Sequence, residues 1–163
     1  MATVSNFVRV GGKGNPGRKP YFVEAEIDLA EAATAKGSAL ASSDILQAIT
    51  VPADHVVMWA GLECTETPAG GTGTVLDLGI TGNDPDRFVD GFAYDSASAG
   101  DYATMANTGV PLALGSEDTI DVLIQAATTV STSGKVRAFA VLMEVGALGS
   151  DKGADEVDRD VIG

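Results

Sequence analysis

The chain has 163 residues, with 10 Lys and Arg against 23 Asp and Glu and one His, a formal net charge of -13. A hydrophobic fraction of 45% and 20 glycines exclude both global disorder and a coiled coil, and a single domain of this length buries about 70% of its unfolded surface without staples. No apolar run approaches the roughly 18 residues of a membrane span, and the N-terminus lacks a signal-peptide apolar region. The single cysteine, Cys64, excludes an intrachain disulfide and a cysteine zinc cluster. The acidic balance argues against nucleic acid as a partner, since phosphate neutralisation needs clustered Lys and Arg.

Charge is unevenly placed. Residues 1–20 carry Arg9, Lys13, Arg18 and Lys19 and no acid, and the run Gly11-Gly12-Lys13-Gly14-Asn15-Pro16-Gly17 suits neither a helix nor a central strand. The sequence therefore predicts a basic, flexible N-terminal arm, either a solvated linker or a docking segment. From residue 21 the pattern has period two. Val23, Ala25, Ile27 and Leu29 alternate with Glu24, Glu26 and Asp28, giving a strand over 21–30 with one wet face. The Ala-rich residues 31–41 are interrupted by Gly37 and read as a loop with at most a helical turn.

Strands follow at 44–51 (ended by Pro52), 55–65, 74–80, 87–94, 110–114, 119–127 and 135–145, separated mostly by Gly, Asn, Asp, Ser or Pro. About eight short strands without a convincing helix between them predict an all-β antiparallel sandwich, jelly-roll-like, over residues 21–149. A parallel sheet would need long amphipathic crossover helices. Residues 150–163 form an acidic tail in which Asp151, Asp155, Glu156, Asp158 and Asp160 outnumber Lys152 and Arg159.

Two segments are apolar at both strand phases: 136–145 (Val-Arg-Ala-Phe-Ala-Val-Leu-Met-Glu-Val) and 55–62 (His-Val-Val-Met-Trp-Ala-Gly-Leu). A strand apolar on both faces is covered on both. In a two-layer domain the second cover is another subunit or a long loop, 95–109 or 31–43. Self-association is the favoured reading, with Phe139, Val141 and Met143 as candidate interface residues.

A search for chemistry finds no constellation. His55 is the only histidine, no Gly-x-Ser-x-Gly elbow exists, and Cys64 lies nine residues from His55 at an odd spacing, which would need a bulge to share a face. The carboxylates of 83–91 invite a Ca²⁺ reading, but Phe88 and Val89 occupy positions where an EF-hand loop needs a ligand and a glycine, so a turn is preferred. Gly70, Gly71 and Gly73 have no Lys beside them and make no phosphate cradle. One Trp and three Tyr are few for a carbohydrate cleft. No catalytic residue, metal site or cofactor is assigned.

The segments Ile45-Leu46-Gln47-Ala48-Ile49-Thr50-Val51-Pro52, 74–91 with its Gly82-Asn83-Asp84-Pro85 turn, Gly100-Asp101-Tyr102, 118–124 and 134–141 together resemble the small virion proteins that decorate or cement the capsids of tailed bacteriophages, particularly those of aquatic hosts. The likeness spans residues 44–145. It implies a non-enzymatic β-sandwich, commonly a homotrimer, made in the host cytoplasm and seated on the virion exterior. There it would bind the major capsid protein and clamp neighbouring capsomers against the pressure of packaged DNA. The family supplies no catalytic residue. From the charge pattern, Arg9, Arg18 and Lys19 are the candidate capsid contacts; nucleic acid and membrane are not expected partners. The alternative is a receptor- or carbohydrate-binding module of a phage fibre or spike.

Overall fold

The computed structural model describes residues 20–80, 82, 84–104 and 110–145. The basic arm with Arg9, Arg18 and Lys19, and the acidic tail, lie outside the described residues. Among these residues eight strands are present: β1 Tyr21–Asp28, β2 Ile45–Val51, β3 His55–Ala69, β4 Val75–Ile80, β5 Asp84–Ala93, β6 Leu112–Leu114, β7 Asp118–Ala126 and β8 Ser133–Glu144. They form two four-stranded sheets, ordered β1-β8-β3-β6 (sheet A) and β2-β7-β4-β5 (sheet B). Among the described residues every strand pairing is antiparallel, and β1 pairs with β8, β2 with β7, β3 with β6 and β4 with β5. That nesting is a long hairpin rolled on itself, the jelly-roll-like sandwich expected from the strand spacing.

The core follows from the alternation. From sheet A, Val57, Ala60, Leu62, Cys64, Val136, Ala138, Ala140 and Leu142 point inward and are buried. Sheet B answers with Leu76, Leu78, Ile80, Ile120, Val122 and Ile124, also buried. The smaller Ala and Val positions of one layer face the longer Leu and Ile of the other, which lets the layers close at about 10 Å. Full burial of each Leu or Ile contributes about 1.5–3 kcal/mol.

Three boundaries differ from the sequence reading. Residues expected to be mostly loop form helix α1, Leu29–Lys36. Gly37, read as an interruption, is its C-cap at φ 77°, donating its N–H to the carbonyls of Ala33 and Thr34. Asp28 caps the other end, its Oδ1 accepting from the N–H groups of Ala30 (2.8 Å) and Glu31 (3.1 Å). Capping decided the helix where its Ala-rich faces gave no apolar stripe. Strand β5 begins at Asp84 rather than at 87, directly after the turn at Gly82, so the carboxylates of 84–90 stand on a strand. Finally, β3 continues through Pro68 to Ala69, carried past its expected end by register shifts against β8.

Candidate interaction surface

The outward face of sheet A changes character along β8. Its outward residues run Met143, Val141, Phe139, Arg137 and Lys135. Their cross-strand partners change with them: Val56 opposite Met143, Trp59 and Phe22 opposite Val141, Gly61 and Glu24 opposite Phe139, Glu63 and Glu26 opposite Arg137. One half is therefore apolar and the other charged. The apolar half is what the two-phase pattern of 136–145 and 55–62 pointed to.

Phe139 is the floor of an aromatic cluster. Its ring lies 6.0 Å from Phe22 at 23°, 5.2 Å from Trp59 at 48° and 6.1 Å from Tyr102 at 71°. These are offset-stacked and edge-on arrangements, which aromatic quadrupoles favour. Gly61, without a side chain, stands opposite Phe139 on β3 and adds nothing to compete with the rings. Phe139 is only 4% exposed, whereas Phe22, Tyr102 and Met58 remain 57%, 56% and 39% exposed. Val141 and Met143 are half-buried.

Tyr102 arrives from the long loop after β5. Residues 100–103 run along β3, with Asp101 O accepting from Cys64 N–H (2.8 Å), Cys64 O from Gly100 N–H (2.8 Å) and Leu62 O from Ala103 N–H (3.0 Å). Of the covers expected for the two-faced strands, the loop after β5 supplies one wall of the cluster through residues 100–103, while Phe22 and Tyr102 keep an apolar rim exposed. Phe139, Val141 and Met143, selected from the sequence, lie on the outward face of sheet A; Phe22, Met58 and Tyr102, which are the exposed large side chains there, were not selected. Phe22 had a signal, since it takes the outward phase of β1 beside Glu24 and Glu26. Tyr102 had none.

The charged half is a network. Arg137 donates from Nε to Glu63 Oε2 (3.0 Å) and from a terminal nitrogen to the same oxygen, and its other terminal nitrogen reaches Glu24 (3.2 Å). Lys135 Nζ sits 3.8 Å from Asp28 and 3.9 Å from both Glu26 and Glu66. Thr65 Oγ1 adds a hydrogen bond to Glu26 (3.0 Å). Five carboxylates thus share two cations, and the surface remains acidic.

Other sequence-selected residues serve packing. A bulge between Val57 and Trp59 puts His55 and Cys64 on the same phase of β3, the condition the odd spacing seemed to forbid. Nine residues of strand still separate them by about 30 Å. His55 stacks edge-on to Tyr21 (6.0 Å), and its Nδ1 lies 2.9 Å from Ala53 O. The Cys64 thiol donates to Glu66 O (3.3 Å), and burial, then the nearby Asp101 and Glu63 charges, push its pKa up, the opposite of a reactive thiol.

On sheet B, Asp77 and Asp121 are outward yet only 2% and 3% exposed. The β4–β5 hairpin folds over Gly79, opposite Asp121, so closely that a Cβ there would collide with the Asp84 carbonyl and Pro85. Asp77 Oδ1 accepts from Gly91 N–H (2.8 Å), and burial, with Asp90 and Asp86 nearby, raises its pKa. Among the described residues no group of three or more His, Cys, Asp or Glu is arranged to hold a metal ion.

No family model matches the sequence, and no curated protein does. Solved structures do match the fold. A chain of the capsid of Ralstonia phage GP4 aligns at TM-score 0.59 and 17% identity, over 85% of this chain and 93% of that one. A chain of the capsid asymmetric unit of cyanophage Pam1 aligns at TM-score 0.58 and 19% identity, over 87% and 97%. One from the acid-stable capsid of Helicobacter pylori bacteriophage KHP30 aligns at 0.50 and 13% identity, over 76% and 86%. The rolled eight-stranded sandwich is a fold that this chain shares with components of phage capsids.

Proposed function

We propose that this protein is a structural component of a phage virion, a non-enzymatic decoration or cement protein that binds the outer surface of the capsid as an oligomer, with a homotrimer favoured. The observation that carries the reading is the match of nearly the whole chain, from end to end of the partner chains, to constituents of two phage capsids. The aromatic face of sheet A gives the reading a mechanism. Phe22 and Tyr102 stand exposed around Phe139, with Met58 exposed at the β3 bulge, and offer desolvation to a sister subunit. The three exposed side chains supply only about 300–400 Å², roughly half of what one partner contributes to a stable interface. Affinity for a shell would come from repetition over many equivalent contacts.

Arg18 and Lys19, with Arg9, supply positive charge to meet an acidic capsid surface, each exposed ion pair contributing about 0–1 kcal/mol. The test is co-sedimentation of the purified protein with heads of the phage that encodes it, stripped of this component. Saturable binding at a fixed ratio to the major capsid protein supports the proposal. Absence of binding to intact and stripped heads alike contradicts it.

A further inference from the structure

Among the described residues the two sheets end in four edge strands, β1 and β6 in sheet A and β2 and β5 in sheet B. Three of them carry devices that discourage a further strand. β6 is only 3 residues long. β2 bulges between Gln47 and Ile49 against β7. β5 contains Pro85 and shifts register twice against β4. β1 has none of these devices. Its 8 residues pair with β8 in one unbroken register, and among the described residues no strand pairs with its other side. Every second residue of β1 therefore turns its N–H and C=O away from the sheet.

The side chains of this edge are incompletely covered as well. Val23, Ala25 and Ile27 point inward and are half-buried, while their neighbours on β8, Val136, Ala138 and Ala140, are fully buried. A groove opens beside the same edge, lined by Ile27, by Ala32 and Ala35 of α1, and by Ile45 and Leu46 of β2. On the outward side Glu24 and Glu26 are exposed, and the carboxylates of this half of the sheet outnumber Lys135 and Arg137.

These features define the strand that fits. Apolar residues on one phase would cover Val23 and Ala25 and enter the groove. Lys or Arg on the other phase would stand across from Glu24 and Glu26, where opposite charges pair favourably. A second copy of β1 fits poorly. The longest antiparallel registers that keep the faces matched set Glu24 opposite its own counterpart or opposite Glu26, like charges directly across. The net charge of -13 opposes self-pairing further.

We propose that β1 is a receiving edge for an extended segment of another protein, alternating apolar and basic residues, which adds to sheet A as a further strand. This goes beyond the virion role and differs from the apolar contact of Phe22 and Tyr102. Backbone hydrogen bonds hold the partner, and its alternating side chains select it.

The experiment uses the full chain, isotope-labelled and free in solution, so its failure is separable from failure of the virion reading. The probe is a capped peptide of about seven residues alternating Lys and Val. One control peptide replaces Lys by Glu, and another replaces the central Val by Pro. Without peptide, the edge-facing amides of β1 should exchange readily with solvent at every protein concentration. The Lys-Val peptide should shift the amide signals of 22–27, leave those of β5 and β6 in place, and slow exchange of the edge-facing β1 amides about tenfold or more. Both control peptides should bind at least about tenfold more weakly. Glu24→Gln with Glu26→Gln should weaken the Lys-Val peptide about fivefold. Unshifted β1 signals overturn the proposal, as does equal binding by the Pro-interrupted peptide, which keeps the charge and breaks the ladder. Edge-facing β1 amides already protected in dilute protein alone overturn it, because the edge is then taken. Protection that grows with protein concentration overturns it in favour of a second copy.

Discussion

Phe139→Ala and Phe22→Ala should separate what holds the aromatic face together from what the face offers. Phe139 is 4% exposed and touched by three aromatic rings. Truncating it opens a void that its neighbours fill only partly, and large-to-small changes of this kind cost about 3–5 kcal/mol. Because Phe22 and Tyr102 border solvent and are able to settle inward, the lower end applies. At about 2–4 °C per kcal/mol for a domain of this size, Phe139→Ala should lower the thermal midpoint by about 6–12 °C. Phe22 is 57% exposed, so less than half of its ring contributes to the folded monomer, and Phe22→Ala should cost about 1 kcal/mol. Its larger effect should fall on association. Covering the exposed remainder is worth about 1–2 kcal/mol, so self-association or shell binding should weaken about tenfold or somewhat more. Circular-dichroism melts at low protein concentration, with sedimentation equilibrium on the same samples, read the two quantities. A silent Phe139→Ala, or a Phe22→Ala that unfolds as easily as Phe139→Ala while associating like the parent, would refute this division.

Asp77→Asn keeps the acceptor for Gly91 N–H and removes a carboxylate whose pKa burial has raised. With the folded pKa above the unfolded value of about 3.9, the native state binds the proton first as pH falls, so stability from this group grows from neutral pH down toward about pH 4. The variant should be slightly more stable at pH 7 and show a flatter dependence over that window in urea titrations. Gly79→Ala pushes a methyl into the Asp84–Pro85 backbone and should cost about 1–3 kcal/mol in the same titration. Gly37→Ala replaces a helix cap at φ 77° and should cost about 1 kcal/mol, leaving the β-sheet spectrum intact. Deleting residues 1–19 should leave a folded sandwich with the same thermal midpoint within a few degrees and abolish co-sedimentation with heads; undiminished binding would remove the arm from the capsid contact.

The sheets were legible because alternation is local. Val23, Ala25 and Ile27 against Glu24 and Glu26 mark β1 without knowledge of β8, and 136–145 announced a second covered face by being apolar at both phases. What sequence could not supply was set by distant chain segments. Tyr102 becomes part of the aromatic cluster because residues 100–103 hydrogen-bond to Leu62 and Cys64. The bulge at Met58 overturns a parity count between His55 and Cys64. The strand expected from 87 starts at Asp84 because the Gly82 turn is tight enough to pair Ile80 with Asp84, which the turn chemistry of Gly82-Asn83-Asp84-Pro85 had assigned to the turn. Helix α1 was missed for a different reason. Its Ala-rich faces lack a stripe, and the information lay in the caps, Asp28 and Gly37, on either side.

A three-dimensional reconstruction of the virion whose genome encodes this chain tests the central claim most directly. The account predicts rolled eight-stranded sandwiches on the outside of the shell, repeated with icosahedral symmetry, with Phe22, Met58 and Tyr102 buried against a neighbouring chain. A particle in which the chain is absent from the shell, or in which that face of sheet A looks into solvent at every copy, would contradict it.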